Sequence, residues 1–133
     1  MKNEELHIVI ILVQVRELET NPFFNSGRGS ALTEKGIVEM EASIMDGKGR
    51  QRGAVSNVTT VKNPISLARL VKDKSPHSYL AFSGAEAFAK KASAKLVRGN
   101  ASHGISDASA VSSREARILA EDAFFHPSMM SVS

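Results

Sequence analysis

Leu18-Glu19-Thr20-Asn21-Pro22-Phe23-Phe24-Asn25-Ser26-Gly27-Arg28-Gly29-Ser30 decides how the chain is read. A charged, helix-like segment stops at Thr20, because Pro22 removes a backbone donor and biases Asn21 away from helical angles. Phe23 and Phe24 follow as expected anchors. Gly27 and Gly29 then permit sharp turns that expose backbone carbonyls and amides. The stretch reads as a tight, pinned loop between two packed elements. Its chemistry stays open on these grounds. Inward carbonyls could ring a hard cation, inward amides could cradle an anion, and a plain surface turn is the heavier alternative. No Gly-Lys-Ser/Thr follows, so this is not a Walker loop, and Gly27-Arg28-Gly29 lacks the third glycine of a dinucleotide fingerprint.

Before the loop, residues 4–19 carry Leu6, Ile8, Val9, Leu12, Val13 and Leu18. β-Branching favours a strand; length, polar ends and the acidic start favour a helix. The balance predicts a helix ending near Thr20, with the run from Ile8 to Val13 as its buried face. That run is far shorter than the roughly 20 residues a bilayer span needs. Glu4, Glu5, Arg16 and Glu17 flank it, and no small-residue cleavage site follows. No membrane association and a cytoplasmic location are therefore expected.

After the loop, residues 32–46 alternate. Val38, Met40, Ala42 and Ile44 share one face, and Glu39, Glu41, Ser43 and Met45 the other. Asp46-Gly47-Lys48-Gly49 is a turn signal, and residues 52–61 form a second strand, so the pair predicts an antiparallel hairpin. Asn63-Pro64 opens a helix with Asn63 as cap, and Ile65, Leu67, Ala68, Leu70 and Val71 form its buried stripe. Ser75-Pro76 breaks the chain, residues 77–82 suit a short strand, and residues 85–91 a helix. Residues 93–113, rich in serine, alanine and glycine, read as a loosely ordered linker. A helix over 114–125 is expected after it.

The conventional catalytic groups are sparse. Glu39 and Glu41 point to one strand face, and paired carboxylates can do acid/base work, but a solvated face is the stronger reading. Asp46-Gly47 is better read as turn than as site. His7, His77, His103 and His126 share no ligand spacing, which weighs against zinc. His77, in a loop after Ser75-Pro76, is the one histidine that could gate or position something; a half-exposed turn residue is the plainer reading. No Gly-x-Ser-x-Gly elbow and no defensible triad appear.

The 133 residues suit one domain, with 42% hydrophobic and 23% charged residues. A net charge of +3, one Tyr and no Trp make a nucleic-acid surface a weak reading, resting on a pI near 9.4 alone. There is no cysteine, hence no disulfide and no thiolate zinc site, which fits a reducing compartment.

Three stretches carry a family resemblance. Arg16-Glu17-Leu18-Glu19-Thr20-Asn21-Pro22-Phe23-Phe24-Asn25-Ser26-Gly27-Arg28-Gly29-Ser30-Ala31-Leu32-Thr33-Glu34-Lys35-Gly36 closely resembles plant-type isoaspartyl peptidase/L-asparaginases. So do Val38-Glu39-Met40-Glu41-Ala42-Ser43-Ile44-Met45-Asp46-Gly47 and Val61-Lys62-Asn63-Pro64-Ile65-Ser66-Leu67-Ala68-Arg69-Leu70. The likeness covers residues 1–91, the alpha-subunit portion of the family precursor; residues 92–133 show none.

The resemblance implies an α+β chain, part of the αββα sandwich of N-terminal-nucleophile hydrolases, with the family's glycine-rich first strand missing. It implies hydrolysis of L-asparagine and β-aspartyl (isoaspartyl) dipeptides by a threonine at the start of a beta subunit, whose own α-amino group serves as base. It implies no organic cofactor, and a structural sodium ion held by the backbone carbonyls of Leu18, Glu19, Asn21, Phe24, Ser26 and Arg28. Asn25 would lie near the threonine. A second loop, residues 71–77, resembles one that binds an activating alkali cation in some members.

Thr20, Thr33, Thr59 and Thr60 are the threonines present, and none follows a glycine as the family's cleavage site requires. The expectation is a truncated, alpha-subunit-like chain without a catalytic residue, inactive alone. The alternative is a non-enzymatic piece that associates with a beta subunit or a full-length relative, with neither nucleic acid nor membrane as partner.

Overall fold

The structure is a computed structural model that describes residues 3–100, with side-chain surroundings described for residues 5–93. The elements run α1 (Asn3–Thr20), a 3-10 turn (Gly27–Gly29), β1 (Met40–Met45), β2 (Arg52–Val58), α2 (Pro64–Lys74), β3 (Tyr79–Ala81) and α3 (Phe82–Asn100). This is the α+β class that the sequence implies.

The alternation after the loop produces β1 as expected. Met40 and Ile44 are buried, while Glu41, Ser43 and Met45 are exposed. Asp46 closes the hairpin: its Oδ1 accepts the Gly49 amide at 2.7 Å and its own amide donates to the Gln51 carbonyl at 3.0 Å. The strand is shorter than the expected 32–46. Thr33 organises a local turn, its carbonyl accepting the Gly36 amide at 2.8 Å and its hydroxyl the Ile37 amide at 3.3 Å, and that turn takes the backbone groups a ladder would need. β2 likewise ends at Val58 rather than residue 61.

β1 and β2 pair antiparallel, with Ile44 opposite Gly53 and Ala42 opposite Val55; the register slips between Met40 and Ala42. β3 joins the other edge of β2 in parallel, Leu80 opposite Val55, and α2 makes the crossover that a parallel pair requires. α2 crosses the sheet at close range over Gly53. A Cβ at that position would sit 2.0 Å from the Ala68 carbonyl oxygen and 2.5 Å from the Lys72 amide nitrogen. Lys72 binds α2 to the hairpin, its Nζ 2.6 Å from Asp73 and 3.9 Å from Asp46. One apolar cluster gathers Leu12 of α1, Met40 and Ile44, Val55 and Val58, Val61, the Ile65, Leu67, Ala68 and Val71 stripe of α2, and Ala85 and Ala89 of α3. Leu70, expected in that stripe, packs at its margin.

Two expectations are corrected. The run from Ile8 to Val13 is not a buried face: Leu12 is buried, but Ile10, Ile11 and Val13 are about half exposed. Six consecutive apolar residues advance 100° each and encircle the helix, so only one side can meet a core. The linker expected over 93–113 is also displaced, since α3 runs through Asn100. Ala94, Lys95, Leu96 and Arg98 are strong helix formers that carry the helix past Ser93 toward Gly99 and Asn100. The remainder of that linker, the helix expected over 114–125, His103 and His126 lie outside the described residues. No helix among the described residues is long and apolar enough to cross a membrane.

The close α2–β2 approach gives a matched pair of variants. Gly53→Ala drives a methyl into backbone and should lower unfolding free energy by about 3 kcal/mol. Gly47→Ala, whose Cβ would meet nothing within 4 Å, should change it by less than about 0.5 kcal/mol. Urea unfolding followed by circular dichroism reads both.

Candidate functional site

α1 ends by losing its hydrogen-bond partners in sequence order. The Leu18 carbonyl would take the amide of residue 22, but Pro22 has none. The Glu19 carbonyl would take the amide of Phe23, but that amide donates instead to Asn21 Oδ1 at 3.0 Å. Among the described residues no amide donates to the Leu18, Glu19 or Arg28 carbonyls. The other carbonyls of interest each accept one amide: Asn21 from Phe24 at 3.3 Å, Phe24 from Ser26 at 2.8 Å, and Ser26 from Gly29 at 3.4 Å. A carbonyl oxygen has two lone pairs, so each retains one.

The two glycines draw these oxygens together. Gly27 sits at φ +58°, in the left-handed region, and a Cβ there would lie 2.3 Å from the Glu19 carbonyl oxygen. A Cβ on Gly29 would lie 2.1 Å from the Phe24 carbonyl oxygen and 2.5 Å from that of Pro22. Any side chain at either position would strike the oxygens, so the loop closes only with glycine. Asn25 fastens the far end, its Oδ1 accepting the Ala31 amide at 2.8 Å. The tight, pinned loop of the sequence reading is thus the one observed.

The aromatics do not anchor it. Phe23 is 92% exposed and Phe24 47%, because the turn at Pro22 throws both outward. The anchor is a residue that sequence reasoning treated only as a carbonyl. The Glu19 side chain is 3% exposed; its Oε1 accepts the Ile65 amide at 2.9 Å and its Oε2 the Asn63 side-chain amide at 3.0 Å. Asn63 occupies the cap position of α2, and Pro64 its first turn, as expected, but Asn63 makes no side-chain cap bond. Glu19 supplies the cap from 46 residues away. No local pattern signals a cap that distant. Burial raises the Glu19 carboxyl pKa against the lowering pull of the Ile65 amide, Asn63 and Arg16.

The remaining candidates stay apart from the loop or on the surface. Glu39 and Glu41 are exposed, and Glu39 accepts the Asn57 side-chain amide at 3.3 Å. His7 lies exposed on α1, and His77 is exposed beyond α2, its amide donating to Ser75 Oγ at 3.0 Å. In the 71–77 loop the Ser75 amide donates to the Val71 carbonyl at 3.1 Å. No group of three or more His, Asp or Glu side chains among the described residues could hold a metal, so a cation in this region would rely on backbone oxygen.

A small mixed sheet, helices docked on it, and a glycine-closed carbonyl loop after the first helix define an α+β chain whose most specialised part is backbone rather than side chain. The chain belongs to the asparaginase family, whose fold is of the N-terminal-nucleophile hydrolase type; the family match spans residues 3–121, past Lys91. It is 73% identical over 90 residues to the probable isoaspartyl peptidase/L-asparaginase 2 of Arabidopsis thaliana, covering 68% of this chain and 28% of that protein. It is 57% identical over 75 residues to the Bos taurus isoaspartyl peptidase/L-asparaginase, covering 56% and 24%. Against the Homo sapiens protein of the same name it is 57% identical over 72 residues, covering 54% and 23%. The chain thus spans between 23% and 28% of the length of these curated relatives.

The raised Glu19 pKa fixes a sign. The folded state holds a proton that the unfolded chain would release, so the stability Glu19 contributes is full below the unfolded pKa and falls as pH rises through the folded one. Glu19→Gln should flatten that decline in urea titrations from about pH 4 to 7. Glu19→Ala should cost about 2–3 kcal/mol below the unfolded pKa and less as pH rises, since it strands the Ile65 amide and the Asn63 side chain.

Proposed function

We propose that this chain supplies the alpha-subunit portion of an isoaspartyl peptidase/L-asparaginase, a hydrolase of L-asparagine and β-aspartyl dipeptides. The observation that carries the reading is the loop of residues 18–30. It lies within the residues that the family match covers, and its oxygens crowd two glycines where no side chain fits. Sodium is the occupant we assign to it, held by the carbonyls of Leu18, Glu19, Asn21, Phe24, Ser26 and Arg28. A hard cation suits an all-oxygen donor set. The ion would fix the loop, and with it Asn25, whose side chain ties the loop to Ala31.

The bond-breaking group in this reading is a threonine hydroxyl with its own free amine as base. That group must follow a glycine, and no Gly-Thr pair occurs in these 133 residues. The chain alone is therefore inactive and acts with a beta subunit or a full-length relative. Exposed apolar side chains on the far side of β1 and β3, Met45 and Tyr79, and on α1, Ile10 and Val13, support association. The lack of cysteine supports action in the cytoplasm.

Two measurements test this. Aspartate release from L-asparagine and from a β-aspartyl dipeptide should stay at background for the 133-residue chain and appear when a beta segment from a relative is co-expressed. Release by the purified chain itself would overturn the inactive reading. Sodium chloride, compared with choline chloride at equal ionic strength, should raise the unfolding midpoint, by about 2.7 kcal/mol in stability at a hundredfold excess over Kd. Gly27→Ala should abolish the sodium increment.

A further inference from the structure

We propose that Asp46-Gly47 is a latent isomerisation site: the Asp46 side chain can close onto the Gly47 amide nitrogen and leave an isoaspartyl linkage, and the contacts around Asp46 hold the pair out of that reaction while the hairpin is closed. The inference concerns the turn between β1 and β2, and it does not depend on the reaction proposed above.

The pair stands alone in the sequence. An aspartate or asparagine is most open to this ring closure when glycine follows, because glycine has no side chain to screen its nitrogen and the freest backbone to admit the ring. Among the 133 residues Asp46-Gly47 is the one such pair. Gly47 is exposed in the turn, and a Cβ on it would meet nothing within 4 Å, so its surroundings leave the nitrogen unscreened.

The reaction needs only water. The Gly47 nitrogen bonds to Asp46 Cγ, and the carboxyl hydroxyl departs with the amide proton as water, which leaves a five-membered imide. Water then adds at the former main-chain carbonyl of Asp46. The bond from that carbon to nitrogen breaks, the carbon becomes a free carboxylate, and Cγ keeps the nitrogen. The main chain thereby gains one atom between the strands. Met45 opposite Arg52 is the pair next to the insertion, so the product strains the end of the ladder.

The closed hairpin restrains both partners. Asp46 Oδ1 accepts the Gly49 amide at 2.7 Å, and the Asp46 amide donates to the Gln51 carbonyl at 3.0 Å. From α2, Lys72 sets Nζ 3.9 Å from Asp46 Oδ2; its side chain is 8% exposed and is itself fixed by Asp73 at 2.6 Å. The ring forms only if Cγ turns onto the Gly47 nitrogen. A side chain tied through one oxygen to Gly49, with the other facing a buried ammonium, must give up both contacts to do so. The ammonium also attracts the group only in its charged form, and a carboxylate is a poorer electrophile than a carboxylic acid.

One residue of the turn pulls the other way. Arg50 sits at φ +51°, in the left-handed region that a side chain disfavours. Opening the turn relieves Arg50 in the same step that frees Asp46, so strain and restraint act on one motion in opposite senses.

Isoaspartate measured on the full 133-residue chain tests the site. The chain is incubated at neutral pH with and without guanidinium chloride, and electron-transfer fragmentation in a mass spectrometer locates the isomer. The folded chain should accumulate isoaspartate at residue 46 at least roughly tenfold more slowly than the unfolded chain, since only the opened turn reacts. Lys72→Met should raise the folded rate severalfold, and Arg50→Gly, which removes the strain, should lower it; neither should change the rate in denaturant. Equal folded and unfolded rates, no isomer at residue 46 in the unfolded chain, or a folded rate unmoved by Lys72→Met would each overturn the proposal. The wild-type comparison decides the matter even if a variant fails to fold.

Discussion

The buried Glu19 carboxylate is the constraint on which the other parts depend. It lies at the last turn of α1 and caps the first turn of α2, so the angle between the two helices is set by a pair of hydrogen bonds rather than by apolar packing alone. α1 contributes little else to the core: Leu12 is its one fully buried apolar side chain. Without the cap, the Ile65 amide would be buried without a partner, which is costly in a medium that water does not enter. The sequence provides no alternative, since Asn63 turns its side chain toward Glu19 instead of its own helix.

The same residue connects that cap to the loop. Its side chain faces α2 while its carbonyl oxygen faces Gly27, so anything that draws the loop carbonyls together also bears on the seat of α2. Two neighbouring residues make this arrangement workable. Pro22 leaves the Leu18 carbonyl without a helical donor, and Asn21 captures the Phe23 amide that would otherwise occupy the Glu19 carbonyl. A helix that ends this way presents unsatisfied oxygens by construction, and the glycines then keep them close.

What was legible in the sequence follows from range. The end of α1, the hairpin, Pro64 at the start of α2 and the faces of β1 are governed by neighbours within four residues, and each is where the local chemistry puts it. The misreadings depend on partners far along the chain. Phe23 and Phe24 look like anchors because aromatics usually are buried, yet nothing nearby covers them. Asn63 looks like the cap on α2 because a local cap is the common case; the actual donor–acceptor pair spans 46 residues. Glu86 had no local signature at all, being one glutamate in an alanine-rich helix, and its role appears only when α3 meets Thr59 and Thr60. The candidate loop was recognised through resemblance, while its closure by Gly27 and Gly29 was visible in the residues themselves.

The pattern of exposure bears on what kind of unit this is. α1 is apolar all round between Ile8 and Val13, and the sheet face opposite α2 carries Met45 and Tyr79 beside Glu41 and Ser43. A surface helix of a self-sufficient domain is polar on its outer side, and an open sheet face is usually polar where it meets water. Neither condition holds throughout here. The carboxylates that reach inward, by contrast, are well partnered, Glu19 by Asn63 and Ile65 and Glu86 by Thr59 and Thr60, while Ser66 Oγ and Arg69 Nη1 are buried without a hydrogen-bond partner. Apolar side chains thus close one core while others stay in water on α1 and on the outer sheet face, where burial would gain about 25 cal/mol per Å².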